Sequence, residues 1–302
     1  MAKPSRKTVH DFDPDVLDLF DQYVHGIIDR RGFVAGAARM AIGATAAAGL
    51  LAALSPRFAQ AQKIKPNDPR LVVSWHEFDS PHGYGKARGY LARPVDAEGS
   101  LPLVLVVHEN RGLNPHIEDV ARRIALEGYI AFAPDALFPL GGYPGGEDEA
   151  RTLFRKLDTA RSKQDFLAAA HWLRGIKEGN GRMGIVGFCW GGSMTNFLAT
   201  QLPSLAAAVP FYGSAPELGD VSKIRAEMLI VLAANDDRVN AQWPDYEKAL
   251  EAAGVKYTRF QPPGTVHGFN NDTTPRYDEA AATEAWSRML ALFGRTLKAR
   301  AS

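Results

Sequence analysis

From residue 71 onward the chain alternates short apolar runs with helix-periodic stretches, and this alternation constrains the fold more than any other feature. Runs rich in β-branched and aromatic residues lie at 71–75, 103–107, 129–133, 183–188, 206–212, 228–233 and 257–260. Several are apolar throughout, as Leu103-Val104-Leu105-Val106-Val107 is, which a strand requires when helices cover both faces of its sheet. Helical patterns lie between them at 117–127, 161–174, 193–202, 246–253 and 280–297, and the first and last repeat apolar residues every three or four positions. Strand and helix in alternation predict an α/β fold, a mostly parallel sheet with helices on both faces. The Gly- and Pro-rich stretch 139–146 is a loop by composition, and neither a repeat nor a linker divides residues 62–302.

Composition narrows the function. The 302 residues carry 35 Lys+Arg against 34 Asp+Glu, so nothing in the charge favours nucleic acid or an anionic membrane surface as partner. A single cysteine excludes an internal disulfide and a cysteine-rich metal centre, which leaves that thiol as core filler or nucleophile. No cluster of metal ligands stands out in the sequence; no metal and no cofactor are expected, and activity is expected to survive a chelator.

Residues 1–61 read differently from the rest. Residues 1–29 are polar with six Asp, Arg30-Arg31-Gly32-Phe33-Val34 follows, and 40–54 is a run of fifteen uncharged small and aliphatic residues. That run is too short and too weakly apolar to span a bilayer comfortably. A basic pair, a mild apolar stretch and Ala59-Gln60-Ala61 fit a twin-arginine export signal cleaved after Ala61. Residues 1–61 are therefore expected to be a signal and 62–302 the domain. The expected location is periplasmic or exported, without a stable membrane span after processing; an uncleaved membrane anchor is the alternative.

The chemistry concentrates at Gly187-Phe188-Cys189-Trp190-Gly191-Gly192, directly after a buried strand and directly before a helix. This is the setting of a nucleophile elbow, G-x-S-x-G, in which the glycines exist because side chains there would strike the neighbouring strand or helix. Cys189 holds the nucleophile position at a helix N-terminus, which favours a thiolate, and the N–H of Trp190 points to an oxyanion hole. In α/β-hydrolases the triad runs nucleophile, acid, His. Asn235-Asp236-Asp237-Arg238-Val239 follows one predicted strand and Gly264-Thr265-Val266-His267-Gly268-Phe269 the next. Asp236 is the chosen acid, with Asp237 the alternative, and His267 is the base. The loop His108-Glu109-Asn110-Arg111-Gly112-Leu113-Asn114 is placed to give the second oxyanion N–H, assigned to Asn110. By spacing alone Glu109 is a solvated loop carboxylate.

These motifs together, with Ala133-Pro134-Asp135-Ala136-Leu137-Phe138, resemble the dienelactone hydrolase (carboxymethylenebutenolidase) family across nearly all of 62–302. The resemblance implies an α/β-hydrolase fold, a Cys-His-Asp triad on Cys189, His267 and Asp236, and a Glu, here Glu109, that pairs with the resting thiol and takes its proton when substrate displaces it. It also implies a small-molecule lactone or ester as partner, with two arginines holding the substrate carboxylate. One of these matches Arg151. The other falls four residues after the triad His, where this chain has Asn271, and Arg111 in the oxyanion loop is the candidate replacement. The expected activity is carboxylic ester or lactone hydrolysis. Two other readings compete: a catalytically silent binding protein of the same fold, opposed by the intact triad, and a nucleotide-binding oxidoreductase, opposed by the lack of G-x-G-x-x-G at the first strand-helix junction.

Overall fold

In a computed structural model of the chain, which describes residues 7–96 and 99–298, the alternating segments form one eight-stranded sheet. The outermost ends of the two expected segments, 1–6 and 299–302, lie outside the described residues. The strands are β1 (Leu71–Ser80), β2 (Gly85–Pro94), β3 (Leu101–Val107), β4 (Ile130–Pro134), β5 (Gly179–Phe188), β6 (Ala207–Phe211), β7 (Glu227–Val231) and β8 (Tyr257–Phe260). Their order is β1-β2-β4-β3-β5-β6-β7-β8, antiparallel at β1, β2 and β4 and parallel from β4 to β8. Eleven α-helices accompany them among the described residues: α1 (Pro14–His25), α2 (Arg30–Ala37), α3 (Gly43–Leu54), α4 (Phe58–Ala61), α5 (Pro115–Leu126), α6 (Glu147–Phe154), α7 (Thr159–Arg174), α8 (Trp190–Gln201), α9 (Asp237–Asn240), α10 (Trp243–Ala252) and α11 (Glu279–Leu297).

The pleat of β3 shows why its run is apolar throughout. Val104 and Val106 pack with Ile117, Val120 and Phe293 of α5 and α11, whereas Leu103, Leu105 and Val107 face Phe166, Leu173 and Leu198 of α7 and α8. Each such side chain, fully buried, contributes about 1.5–3 kcal/mol of apolar transfer. The two faces therefore stabilise one rigid platform whose parallel strands all end on the same edge, where the loops carrying the site emerge.

Several elements of residues 62–302 differ from the expectation, among them the short α9 and a β5 that starts four residues earlier. β1 continues five residues past 75, where polar His76, Glu77, Asp79 and Ser80 flank the buried Phe78, and β2 is new; the two pair over ten positions, from Leu71↔Pro94 to Ser80↔Gly85. The segment Gly85–Pro94 lacks an apolar run, and Arg88 fits into it by laying its guanidinium over the Trp75 and Phe138 rings, 4.6 and 4.8 Å from their centroids. α6 opens with Glu147, Asp148 and Glu149, acidic residues that favour a helix N-terminus over continued loop. Within 139–146 the loop is as expected, apart from a single 3-10 turn at Phe138–Leu140.

Residues 7–61, set apart in the sequence as an export signal, fold against the domain. Asp13 caps α1 by accepting from the Asp15 N–H, Pro14 stands at its first turn, and Gly26 ends it at φ 77°. The first three helices bury their own cluster of Phe12, Val16, Phe20, Phe33, Ala37, Leu51 and Leu54. Among the described residues no single helix is long and apolar enough to cross a membrane; Arg30–Met40 with Thr45–Leu54 passes only as a pair bent by 118°.

Candidate active site

The elbow forms where β5 turns into α8. Cys189 sits at φ 57°, a left-handed conformation that ordinary side chains avoid, and its N–H donates to the Phe211 carbonyl at 3.0 Å. A Cβ on Gly187 would lie 2.1 Å from the Gly191 carbonyl oxygen, and one on Gly191 would lie 2.4 Å from that of Val107. Both obstacles are backbone, so neither can swing aside. Gly187→Ala is accordingly expected to lower unfolding stability by about 1–3 kcal/mol, read from the midpoint of urea denaturation; wild-type stability would mean the turn is looser than this.

The acid and base arrive from the next two strand ends. Asp236 follows β7 and accepts from the Val239 N–H at the start of α9, while Asn235 bridges to Val266 and carries the His267 loop alongside. His267 Nδ1 lies 2.6 Å from Asp236 Oδ2, both buried, whereas Asp237 is exposed; the acid beside the histidine is Asp236. Burial pushes the Cys189 thiol up, but His267 and His25 beside it prevail and bring it down to about 6. Burial likewise pushes His267 down, and the Cys189 sulfur and Asp236 outweigh this and carry it to about 10. Sulfur and imidazole thus favour a thiolate–imidazolium pair.

A third group at the centre is His25, from the C-terminal end of α1. Its Nε2 is 3.8 Å from Cys189 Sγ and 3.3 Å from His267 Nε2. The preceding backbone is fastened to the site's polar residues. Asn110 Nδ2 and Arg111 Nη2 donate to the Val24 carbonyl at 2.9 and 3.1 Å, and Arg151 Nη1 donates to the Tyr23 carbonyl at 2.5 Å. Arg276 Nη1 faces Asp21 Oδ1 at 3.7 Å. With α1 in place the cavity lined by Glu109, Arg111, Cys189, His267, Asn271 and Arg276 holds about 40 Å³, against about 300–1,000 Å³ for sites that take small molecules.

Residues 87–297 match the family model described as Dienelactone hydrolase family. The chain belongs to the dienelactone hydrolase family. Relatives agree with this membership. A Salmonella typhi protein described as a candidate carboxymethylenebutenolidase is 35% identical over 221 residues, 68% of this chain and 81% of the relative. An Escherichia coli protein described as a candidate hydrolase fragment, YghX, is 51% identical over 105 residues, 35% of this chain and 90% of its own length. The crystal structure of a candidate dienelactone hydrolase from Klebsiella pneumoniae is 33% identical, with a TM-score of 0.65, covering 74% of this chain and 99% of the other. This dienelactone hydrolase family member is a hydrolase of the α/β-hydrolase fold. Residues 3–41 match a second model, described as YqhI-like, so the segment that carries His25 has a family description of its own.

The site of this family member departs from the expectations at Glu109 and at Arg151. Glu109 enters the cavity, yet its Oε2 accepts from Asn271 Nδ2 at 2.9 Å, and the hydrogen-bonding position beside the thiol is taken by His25. Arg151 lies beneath the Tyr23 ring, 3.7 Å from its centroid, and does not line the cavity. Arg111 does line it, bound to Asn110 Oδ1 at 2.6 Å. Trp190 opens α8 as expected, stacked on the His108 ring 5.4 Å away. His25 and Arg276 were absent from the sequence expectations. Arg276 carried one usable signal: it is the one Lys or Arg in 261–278, five residues after Asn271, the position at which the resemblance implied a guanidinium. Finally, His25, Cys189 and His267 bring three ligand atoms within 4.8 Å of one another, a cluster of metal-ligand type that the sequence reading did not anticipate.

Proposed function

We propose that the chain hydrolyses lactone or carboxylic ester bonds through Cys189, His267 and Asp236. The observation that carries this reading is the continuous contact from Asp236 to His267 to the Cys189 thiol at the strained end of β5. The thiolate bonds to the acyl carbon, and the carbonyl electron pair moves to oxygen, which the N–H groups of Trp190 and Asn110 receive. Collapse expels the alkoxide, which takes the proton from His267 Nε2. A water then gives its proton to His267, its oxygen bonds to the thioester carbon, and the thiolate leaves as the carboxylic acid is released. Turnover of p-nitrophenyl acetate and of a dienelactone tests the reading, and no turnover of either would count against it.

The perturbed pair has a pH signature. A free thiol with a pKa near 8.5 reacts about tenfold faster for each pH unit gained below that value. Cys189, brought to about 6 and paired with a histidine raised to about 10, holds its thiolate throughout the window between them. Alkylation of the chelator-treated protein by iodoacetamide is expected to be level from pH 7 to 9 and to fall by half near pH 6. A steady rise to pH 8.5 would show an unperturbed thiol.

Arg111 and Arg276 are proposed to hold the substrate's carboxylate. Both are buried and line the cavity; Arg276 Nε has no hydrogen-bond partner among the described residues, and Nη1 has only the ion pair with Asp21 of the docked α1 at 3.7 Å. A charge-assisted bond lost from one such group costs about 1.5–3 kcal/mol. Arg276→Gln is therefore expected to raise KM at least tenfold for an ester bearing a carboxylate and to leave a neutral ester's KM within twofold; equal effects on both would refute the role.

We further propose export through a twin-arginine signal with cleavage after Ala61. Arg30-Arg31, the uncharged run 40–54 and Ala59-Gln60-Ala61 support it. In this reading the precursor is capped and processing uncovers the site, whereas an uncleaved anchor would keep α1 in place. The intact mass of protein from the periplasmic fraction separates the two.

A further inference from the structure

We infer that His25, Cys189 and His267 form a binding site for a divalent transition metal, zinc in the first instance, which locks α1 over the active site. The inference rests on the closed seating of α1 and not on the hydrolytic reading. Zinc takes a thiolate at about 2.3 Å and imidazole nitrogens at about 2.0–2.1 Å in tetrahedral arrangement, which requires sulfur and nitrogen about 3.6 Å apart and two nitrogens about 3.3–3.4 Å apart. The distances here are 3.8 Å from Cys189 Sγ to His25 Nε2 and 3.3 Å from His25 Nε2 to His267 Nε2, with all three atoms within 4.8 Å.

The surroundings of the two rings agree. His267 Nδ1 lies 2.6 Å from Asp236 Oδ2. His25 Nδ1 lies 2.9 Å from the Asp21 carbonyl and 3.1 Å from Asp21 Oδ2. Each ring thus gives its Nδ1 proton to an acceptor and turns Nε2 inward, the carboxylate–histidine–metal arrangement that fixes tautomer and orientation in metal centres. The two inward Nε2 atoms, 3.3 Å apart, need a cation between them: in the thiolate–imidazolium state it is the proton on His267 Nε2, and a metal ion takes that proton's place. Arg238 Nη2 donates to His25 Nε2 at 3.0 Å; it belongs to a long, exposed side chain that swings out to solvent when a metal takes its place. Binding releases to water the one proton that Cys189 and His267 hold between them, so that a thiolate and a neutral imidazole both ligate. Three protein ligands leave the fourth position open, and the cavity of about 40 Å³ beside them has room for about one water there.

The seating also has a consequence for function. A metal bound to the nucleophile and to the base withholds both, and because its third ligand, His25, comes from α1, it ties the cap to the domain through that metal–imidazole bond. The segment that carries His25 lies 164 residues from Cys189 in the chain, so the site exists only while α1 is docked.

The test uses the full-length chain stripped with chelator and titrated with cobalt(II), whose absorption reports coordination. One equivalent is expected to produce a thiolate-to-cobalt charge-transfer band in the near ultraviolet with the intense visible bands of a four-coordinate ion, and zinc is expected to abolish both. Cys189→Ser should remove the charge-transfer band. His25→Ala should weaken cobalt binding at least tenfold while its circular dichroism melt stays that of wild type. Absence of the thiolate band in wild type, or equal affinity in His25→Ala, would overturn the proposal. Cobalt binding of the expected kind in a chain that hydrolyses no ester would support the site and remove only the hydrolytic reading.

Discussion

Replacing Cys189 by Ala is expected to reduce ester hydrolysis by a factor of ~10³ or more while shifting unfolding stability by only about 1 kcal/mol or less. The two halves of that expectation have different physical origins. Stability changes little because alanine has the same Cβ and meets the same left-handed backbone at φ 57°, while the hydrogen bond from the residue 189 N–H to the Phe211 carbonyl persists. What is lost is a single sulfur, buried among groups that are themselves polar: His267, His25 and the cavity carboxylate Glu109. Activity falls because the remaining Asp236–His267 pair has no nucleophile to activate. Residual turnover would come from water oriented by His267 and from the N–H groups at the start of α8. Circular dichroism melts beside initial rates with p-nitrophenyl acetate read both halves at once. A variant that keeps its activity, or one that loses several kcal/mol of stability, would assign the thiol to the core.

A chain that begins at Gln62 is expected to show kcat/KM at least tenfold above the full-length chain on the same ester. With α1 docked, the Val24 carbonyl occupies Asn110 and Arg111, the Tyr23 carbonyl occupies Arg151, and His25 contacts the thiol. Substrate must wait for that segment to leave, so the apparent affinity is reduced by the open fraction. A closed form favoured by about 1.4 kcal/mol already costs tenfold. The full-length double substitution Asp21→Asn with His25→Ala removes the Arg276 pairing and the thiol contact while keeping the apolar cluster of Phe12, Phe20, Phe33 and Leu54, and a several-fold rise is expected there. Equal rates in the full-length chain and both altered forms would mean that the cap opens freely on the time scale of turnover.

Much of this site is legible in the sequence because its features are local. The glycines at 187 and 191 are imposed by backbone atoms 2.1 and 2.4 Å from where a Cβ would stand, and the Gly-Phe-Cys-Trp-Gly spacing records that crowding directly. Asp236 and His267 are legible for a similar reason, since each follows a buried apolar strand on the same edge of the sheet. β2 escapes because its sequence, interrupted by Lys86, Arg88, Gly89 and Arg93, gains its strand character from pairing with β1 and β4 and not from an apolar run. α6 escapes because its charged opening resembles loop until the helix dipole is counted. His25 escapes for a deeper reason. Its role depends on how Gly26 ends α1 and on a contact spanning 164 residues, and neither leaves a spacing that can be read along the chain. Glu109 is legible as a site residue only through the resemblance; it lies in the cavity, where its carboxylate accepts from Asn271.

If Cys189 is the nucleophile, a covalent acyl intermediate forms on its sulfur during turnover. Full-length chain and the chain from Gln62 would be mixed with p-nitrophenyl acetate, quenched in acid during turnover, digested and analysed by mass spectrometry. Cys189 is predicted to carry an acetyl thioester, more abundant in the shorter chain, and Cys189→Ala is predicted to carry none. Turnover with no acyl group on Cys189, or with the acyl group on another residue, would contradict the account.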